Sequence, residues 1–173
     1  MSGKKISTKI LIVSSLIFIF FFAGCGKGDS SKKDDDEVRT KKEERAVKKV
    51  QNFSMELESK EKTKAGSSTE MTLKVKNDGS KSKKVSYGSP RRHDFEIFDS
   101  EGNMIWCQTC KDFFIQVVEE DTLDVDEEIT FSASWDQVDN EGKVVKAGVY
   151  TLKASWFALE SGGSVKKKIE IVD

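Results

Sequence analysis

Apolar side chains recur at every second position in several short segments after residue 50, and this spacing restricts the fold more than any other feature of the sequence. The two earliest segments contain Phe53, Met55 and Leu57, and then Met71, Leu73 and Val75. Because successive side chains of a β-strand point to opposite faces, a period of two places the apolar residues of each segment on one face. The pattern therefore predicts half-buried strands.

Turn signals separate these segments at short intervals, at residues 77–79, 99–103, 139–142 and 161–163. The later strands are expected to pass through residues 85–87, 95–97, 104–106, 129–135, 150–156 and 165–171. Short strands spaced about eight to twelve residues apart indicate an all-β domain, an immunoglobulin-like antiparallel β-sandwich, over residues 51–173. Trp135, Tyr150 and Trp156 fall on inward positions and are expected in the core. An exposed aromatic platform for carbohydrate is the alternative.

The N-terminal residues have the features of a bacterial export signal. Lysines at positions 4, 5 and 9 precede the apolar run 10–22, which has thirteen residues. That run is shorter than the roughly 20 residues of a spanning helix and fits the core of about 7 to 15 residues in a signal peptide. The run ends in Phe22-Ala23-Gly24-Cys25, which resembles a lipobox with Phe22 in place of the usual leucine.

Residues 1–24 are therefore expected to be a lipoprotein signal peptide, and Cys25 is expected to carry a diacylglyceryl thioether with palmitate-type chains. Small residues at positions 23 and 24 would admit the peptidase, and the thiol of Cys25 would take the lipid. Two acyl chains give stable membrane attachment. The alternative is an uncleaved anchor with unmodified Cys25. Both place the protein on the outer face of a bacterial cell membrane, with the membrane as its first partner.

Charge separates a tether from the folded domain. Of the 24 residues from Lys27 to Val50, nine are basic and seven are acidic, so this stretch cannot bury enough apolar area to fold alone. Residues 25–50 are expected to form a disordered tether, with a helix over Glu37–Val50 as the alternative. Loss of residues 1–24 removes three lysines and no acids, so the formal charge goes from −1 to −4. A mildly acidic chain does not favour nucleic acid as a partner.

Several sequence elements also carry a family resemblance. The runs "HDFEIFDSEGNMIW", "FFIQ", "LDVDEEITF" and "WDQVDNEGKVVKAGVYTL" occur in this order within residues 68–156. Their motif positions are Asp94, Phe95, Gly102, Trp106, Phe114, Gln116, Leu123, Trp135, Asp136, Gly142, Gly148 and Tyr150. These elements resemble the BsuPI domain, a family named after an intracellular proteinase inhibitor of Bacillus. The resemblance implies an immunoglobulin-like sandwich and an inhibitor, not an enzyme.

The sequence departs from the family pattern at three places. Val125-Asp126 stands where a Pro-Gly turn is common, and Ala147 replaces the proline usual before Gly148. The third departure is the CQTC sequence at 107–110, a position usually filled by polar residues other than cysteine. The first two departures change loop rigidity. No reactive-site residue of the family is carried over to this chain.

Cys107 and Cys110 are the candidate disulfide. They are too close in sequence to join two sheets as the immunoglobulin disulfide does, and bonding requires a turn at residues 108–109 because the Cα atoms must lie within about 7 Å. The next element is expected to begin at Phe113. Outside the cell an even cysteine pair tends to oxidise. The alternatives are free thiols, a thioredoxin-like redox pair and a zinc site, which needs four ligands.

The remaining titratable residues form no recognisable catalytic or metal motif. His93 is the only histidine and is expected at the surface or at a sheet edge, with its neighbour Asp94 on the opposite face. Residues 112–128 contain eight acids and no base, but their spacing does not follow a calcium-binding loop. A solvated acidic rim is expected, with no metal and no other cofactor.

These observations favour a membrane-anchored extracytoplasmic lipoprotein whose BsuPI-like domain is non-catalytic and binds or inhibits a protease. The domain is expected to be a monomer. The alternative is a general cell-envelope module that binds another protein without inhibiting proteases. A thiol–disulfide protein built on Cys107 and Cys110 is the third hypothesis.

Overall fold

The structure is a computed structural model that describes residues 45–173. These residues form eleven β-strands and no helix: β1 (Arg45–Val50), β2 (Phe53–Ser59), β3 (Lys62–Lys64), β4 (Thr69–Asn77), β5 (Lys83–Tyr87), β6 (His93–Phe98), β7 (Met104–Cys107), β8 (Glu119–Leu123), β9 (Glu128–Trp135), β10 (Gly148–Trp156) and β11 (Gly163–Val172). Within this range the chain has no helix with the length and apolar character needed to span a bilayer.

The strands build two main sheets. The first has the order β1-β2-β4-β9, and the second has the order β3-β11-β10-β6-β7. All neighbouring strands in them are antiparallel except β11 and β3, which pair in parallel. Strands β5 and β8 form a separate antiparallel pair. The architecture confirms the predicted all-β sandwich.

Alternating side chains fill the space between the sheets. In β2 and β4 every second residue is buried, and these residues face buried positions of β10 and β11. Aromatic contacts cross the gap, because the rings of Phe53 and Trp156 lie 5.1 Å apart and those of Trp135 and Tyr150 lie 5.8 Å apart. Trp135, Tyr150 and Trp156 are therefore core residues, as predicted.

One charged residue occupies a core position. Lys167 of β11 shares a face with Val165 and Ile169 and is buried with them. Its ammonium group donates a hydrogen bond of 2.6 Å to the carbonyl oxygen of Ser59, at the end of β2. The long side chain thus packs its methylene groups inside while its charged end reaches the sheet border.

The folded part begins earlier than the sequence pattern suggested. Residues 45–50, assigned to the tether, form β1 and pair with β2 in the register Arg45↔Glu58 to Val50↔Phe53. The guanidinium of Arg45 lies 3.0 Å from the Glu58 carboxylate. Cross-strand ion pairs and the backbone ladder therefore hold β1 against β2. The charged sequence of β1 does not by itself predict a strand. Residues 25–44 and the predicted signal peptide, residues 1–24, lie outside the described residues.

Two of the predicted turns share one design. Asp99 and Asp139 each accept hydrogen bonds through a carboxylate oxygen from the backbone N–H groups two and four residues later, at 2.8–2.9 Å. Three residues after each aspartate comes a glycine with positive φ, 90° at Gly102 and 84° at Gly142. Glycine suits this left-handed conformation because it has no Cβ. The repeated Asp-x-Glu-Gly pattern is thus a local cause of two tight turns.

Candidate functional site

The CQTC sequence leaves β7 and turns sharply. The structure places Cys107 and Cys110 in a disulfide, with Cα atoms 5.5 Å apart. The chain bends at residues 108–109, which the disulfide requires, and the Asp112 amide then donates a hydrogen bond of 3.1 Å to the carbonyl oxygen of Thr109, closing a turn at residues 110–111. Cys107 is buried at the last position of β7, whereas Cys110 is exposed. The disulfide therefore fastens a surface turn to the end of an edge strand.

A buried carboxylate lies beneath this turn. Asp94 of β6 is fully buried and forms an ion pair with Arg91. It accepts a hydrogen bond of 3.2 Å from the Thr109 amide, and its other oxygen lies 3.3 Å from the sulfur of Cys107. The guanidinium of Arg91 packs over the ring of Phe157, 4.8 Å from the ring centre. Asp94 thus connects the turn, β6 and an arginine in one polar cluster.

This environment does not suit a redox pair of the thioredoxin type. Such a pair needs a first cysteine whose thiolate is stabilised by a helix N-terminus or a nearby cation. Residues 45–173 contain no helix, and an oxygen of the Asp94 carboxylate lies 3.3 Å from the Cys107 sulfur, where its charge would repel a thiolate. In the same range no group of three or more His, Cys, Asp or Glu side chains is arranged to hold a metal ion.

An exposed apolar segment follows the turn. We use "apolar segment" for residues 113–118, Phe-Phe-Ile-Gln-Val-Val. The exposed fraction is 102% for Phe113, 71% for Ile115 and 66% for Val118. Of the eleven exposed large hydrophobic residues in the described part of the chain, five belong to it. The expectation that a regular element begins at Phe113 is wrong, because residues 112–118 pair with no strand and the next strand starts at Glu119.

The acids that follow this segment form surface ion pairs. Arg92 bonds both Glu119 and Asp121 of β8, and its guanidinium lies over the Tyr87 ring, 4.9 Å from the centre. The hydrogen bond to Glu119 raises the pKa of Arg92, so its charge is secure. The ammonium of Lys84 on β5 lies 2.6 Å from Glu120. Strand β8 is therefore held to β5 by the Lys84–Glu120 pair and its backbone ladder, and to the segment before β6 by Arg92.

His93 does not lie at the surface or at a sheet edge as expected. It is half-buried on β6, an internal strand, and its ring stacks on Phe131 of the opposite sheet with centroids 4.3 Å apart. Burial lowers the pKa of His93, and the nearby Asp94 charge opposes that effect only in part. Its Nε2 atom has no hydrogen-bond partner among the described residues. His93 is therefore packed between the two sheets through its contact with Phe131.

The site as a whole is a disulfide-fastened turn and an exposed apolar segment on an immunoglobulin-like β-sandwich. Residues 54–160 match the family BsuPI, described as an intracellular proteinase inhibitor, and this match covers more than half of the chain. The protein therefore belongs to the BsuPI family. The match confirms the resemblance seen in the sequence and extends it at both ends. It also contains β3 to β10 in full and all of β2 except Phe53, together with the CQTC turn and the apolar segment.

Other comparisons add only distant similarity. Among curated proteins, none matches the sequence. The CARDB domain of a Pyrococcus furiosus protein, solved in complex with di-metal ions, is 13% identical with a TM-score of 0.39, over 72% of this chain and 90% of that one. The sporulation control protein Spo0M from Bacillus subtilis is 11% identical with a TM-score of 0.43, over 72% of this chain and 51% of that one.

A third solved structure is a large enzyme. The β-glucosidase from Listeria innocua, in complex with glucose, is 12% identical with a TM-score of 0.41. The aligned part covers 70% of this chain and only 16% of the glucosidase. The similarity is thus confined to a small portion of that enzyme.

Sequence reasoning identified the cysteine pair but missed the two features beside it. The buried Asp94–Arg91 pair was not recognised, although an aspartate preceding alternating apolar residues is a detectable signal. The apolar segment was also missed, because a run of apolar residues normally indicates a buried strand. The predicted lipidation site, Cys25, lies outside the described residues.

Proposed function

We propose that this protein is a lipoprotein anchored through Cys25 on the outer face of a bacterial membrane, and that its BsuPI domain binds and inhibits a protease. The observation that carries the proposal is the match of residues 54–160 to a proteinase inhibitor family. The polar groups beside the CQTC turn support a non-catalytic role, because Asp94 is committed to Arg91 and His93 is stacked on Phe131.

The family description places its inhibitors inside the cell, whereas the signal peptide and lipobox of this chain predict export. The two are compatible if the domain has kept protease binding and changed its target. A chain tethered at Cys25 would meet proteases that are secreted or exposed at the membrane surface. The target we propose is therefore an extracytoplasmic protease.

Titration of active proteases with the full chain, purified in mild detergent, tests the inhibitory function. Subtilisin, chymotrypsin and trypsin serve as probes at fixed concentration, and residual activity is measured on a small chromogenic substrate. We expect activity to fall linearly to a plateau at one chain per protease for at least one probe. Gel electrophoresis of the mixture should show the chain intact.

Two results would contradict this function. One is full protease activity at a large excess of the chain for every probe. The other is rapid cleavage of the chain with only transient inhibition, which identifies a substrate. Capture of envelope proteins by the chain, combined with either result, would instead support the general binding module.

A further inference from the structure

The apolar segment places five exposed apolar side chains within six consecutive residues. Single exposed apolar residues are common, but a contiguous exposed run marks an interaction site. Phe113 is entirely free of packing, and Ile115 and Val118 are mostly exposed. Phe114 and Val117 are less exposed and lie closer to the domain. Burial of these exposed side chains in the pockets of a partner would therefore contribute favourable free energy to binding.

The backbone of the apolar segment is available as well. From Asp112 to Val118 the chain runs without a turn or a bend. Residues 113–118 make no backbone–backbone hydrogen bond within the described part of the protein. Six extended residues span roughly 20 Å. An extended segment with free N–H and C=O groups is suited to pair with a strand of another protein.

Both ends of the segment are fixed to the domain. On the N-terminal side, the disulfide between Cys107 and Cys110 and the hydrogen bond from the Asp112 amide hold the turn. On the C-terminal side, β8 pairs with β5 and its acids bond Arg92. A segment held at both ends loses less conformational entropy on binding than a free loop does.

We propose that the apolar segment is the protease contact of this protein, and that it lies as an extended strand in the substrate cleft of a protease with large apolar pockets. The inference rests on the proposed inhibitory function. A protease cleft fits the observations because it binds substrate through backbone hydrogen bonds and side-chain pockets together. Phe113 and Ile115 lie two residues apart, so their side chains would enter pockets on one side of the cleft.

The test uses the full chain in mild detergent and the variants Phe113→Ser and Ile115→Ser, singly and together. Val149→Ser is the matched control, because Val149 is a half-exposed apolar residue on β10, away from the apolar segment. Each segment variant should weaken inhibition of subtilisin or chymotrypsin about tenfold or more, since an apolar side chain no longer becomes buried. The control should inhibit like the unaltered chain, and trypsin, whose pocket takes a basic side chain, should be inhibited far less.

Circular dichroism and the unfolding midpoint of each variant are measured alongside, and both should be nearly unchanged because Phe113 is fully exposed and Ile115 is mostly exposed. If the double variant inhibits as strongly as the unaltered chain, the contact lies elsewhere and the inference is wrong, while the proposed function stands. If the unaltered chain inhibits no probe, both fail. Equal inhibition of trypsin would also overturn the inference. So would self-association in sedimentation experiments that is lost in the double variant while inhibition is unchanged.

Discussion

The Asp94 carboxylate explains why the CQTC turn lies where it does. A buried carboxylate is tolerated only when it is paired and hydrogen-bonded. Asp94 obtains its partners from Arg91 and from the Thr109 amide inside the turn. The disulfide fixes the turn that presents this amide. The disulfide therefore supports the polar cluster around Asp94. Loss of the disulfide should lower the free energy of unfolding.

Replacing both Cys107 and Cys110 by serine should lower the free energy of unfolding by about 2 kcal/mol, the chain-entropy value for a loop this short. Urea unfolding followed by tryptophan fluorescence measures this change. Dithiothreitol added to the unaltered chain should have a similar effect. The Lys84→Ala variant is the control, because its exposed ion pair with Glu120 contributes at most about 1 kcal/mol. An unchanged midpoint for the double serine variant would show that the turn is held without the disulfide.

The protonation of His93 should make stability depend on pH. Burial lowers its pKa in the folded state below the ordinary value of about 6.5. As pH falls through this value, the unfolded chain binds a proton before the folded one does, so the free energy of unfolding decreases. This stabilisation is fully present at pH values above the pKa of His93 in the unfolded chain. It is lost as the pH falls from that value to the pKa of His93 in the folded chain.

His93→Phe should remove this part of the pH dependence while keeping an aromatic ring against Phe131. The free energy of unfolding is measured for both proteins at pH 7.5, 6.5 and 5.5. As the pH falls over this range, the unaltered chain should lose stability through His93, and the His93→Phe variant should not. His93 is the only histidine, and a carboxylate such as Glu58, whose pKa is lowered by its hydrogen bond with Lys74, titrates below this range. Parallel curves for the two proteins would contradict the prediction.

Among the elements, β1 is the strand whose packing is least evident from its own sequence. Its inner positions, Ala46 and Val50, pack against the core, whereas Val47 is 61% exposed. The γ-carbon of Val50 reaches toward Gly163 in the opposite sheet, where a Cβ would lie only 3.0 Å away. Glycine at position 163 therefore leaves room for Val50, and β1 closes one side of the sandwich.

Val50→Asp should lower the free energy of unfolding by about 2 kcal/mol, since it puts a charge where an apolar side chain is packed. Val47→Asp makes the same chemical change on the solvent side of β1 and should stay within about 0.5 kcal/mol of the unaltered chain. Urea unfolding compares the two. Equal effects would mean that β1 does not contribute to the folded domain in solution.

The sequence predicted the central elements well because their alternation is driven by burial. Strands β2, β4, β9, β10 and β11 each bury one face and were predicted from period two. Strands β1 and β8 were missed because half or more of their residues are charged, and some of these charges form ion pairs within the domain. Such pairing depends on residues distant in sequence, for example Arg92 with Glu119, which no local pattern records.

Backbone conformation explains one departure from the family pattern. Asp126 stands where glycine is common, and its φ is 63°, a value that glycine adopts without strain. Aspartate tolerates this conformation better than most residues. Its carboxylate also lies 2.6 Å from the ammonium of Lys76 and raises the pKa of that lysine. The turn is thus kept with aspartate in place of glycine. From the sequence alone, this replacement was interpreted as a change in loop rigidity.

At the scale of the whole molecule, the protein combines a compact inhibitor-family domain with a stretch that is rich in both signs of charge. The family match ends at residue 160, and strand β11 completes the second sheet beyond it. In the sequence, charged residues before Arg45 lie between this domain and the predicted lipobox. The tether stays a prediction from the sequence, and a coil of about 20 residues would reach roughly 25 Å from the membrane surface on average.

The lipid anchor is tested in a bacterial host that expresses the full chain. Radiolabelled palmitate should be incorporated into the unaltered protein, which should sediment with membranes, because two acyl chains on Cys25, as we propose, would bind the bilayer stably. Cys25→Ser should abolish the label. The double variant Cys107→Ser, Cys110→Ser is the matched control and should retain both label and membrane association, since these cysteines lie in the folded domain. Palmitate in the Cys25→Ser protein, or none in the unaltered one, would show that the protein is held by something other than a lipidated Cys25, and the extracytoplasmic target would then need separate proof.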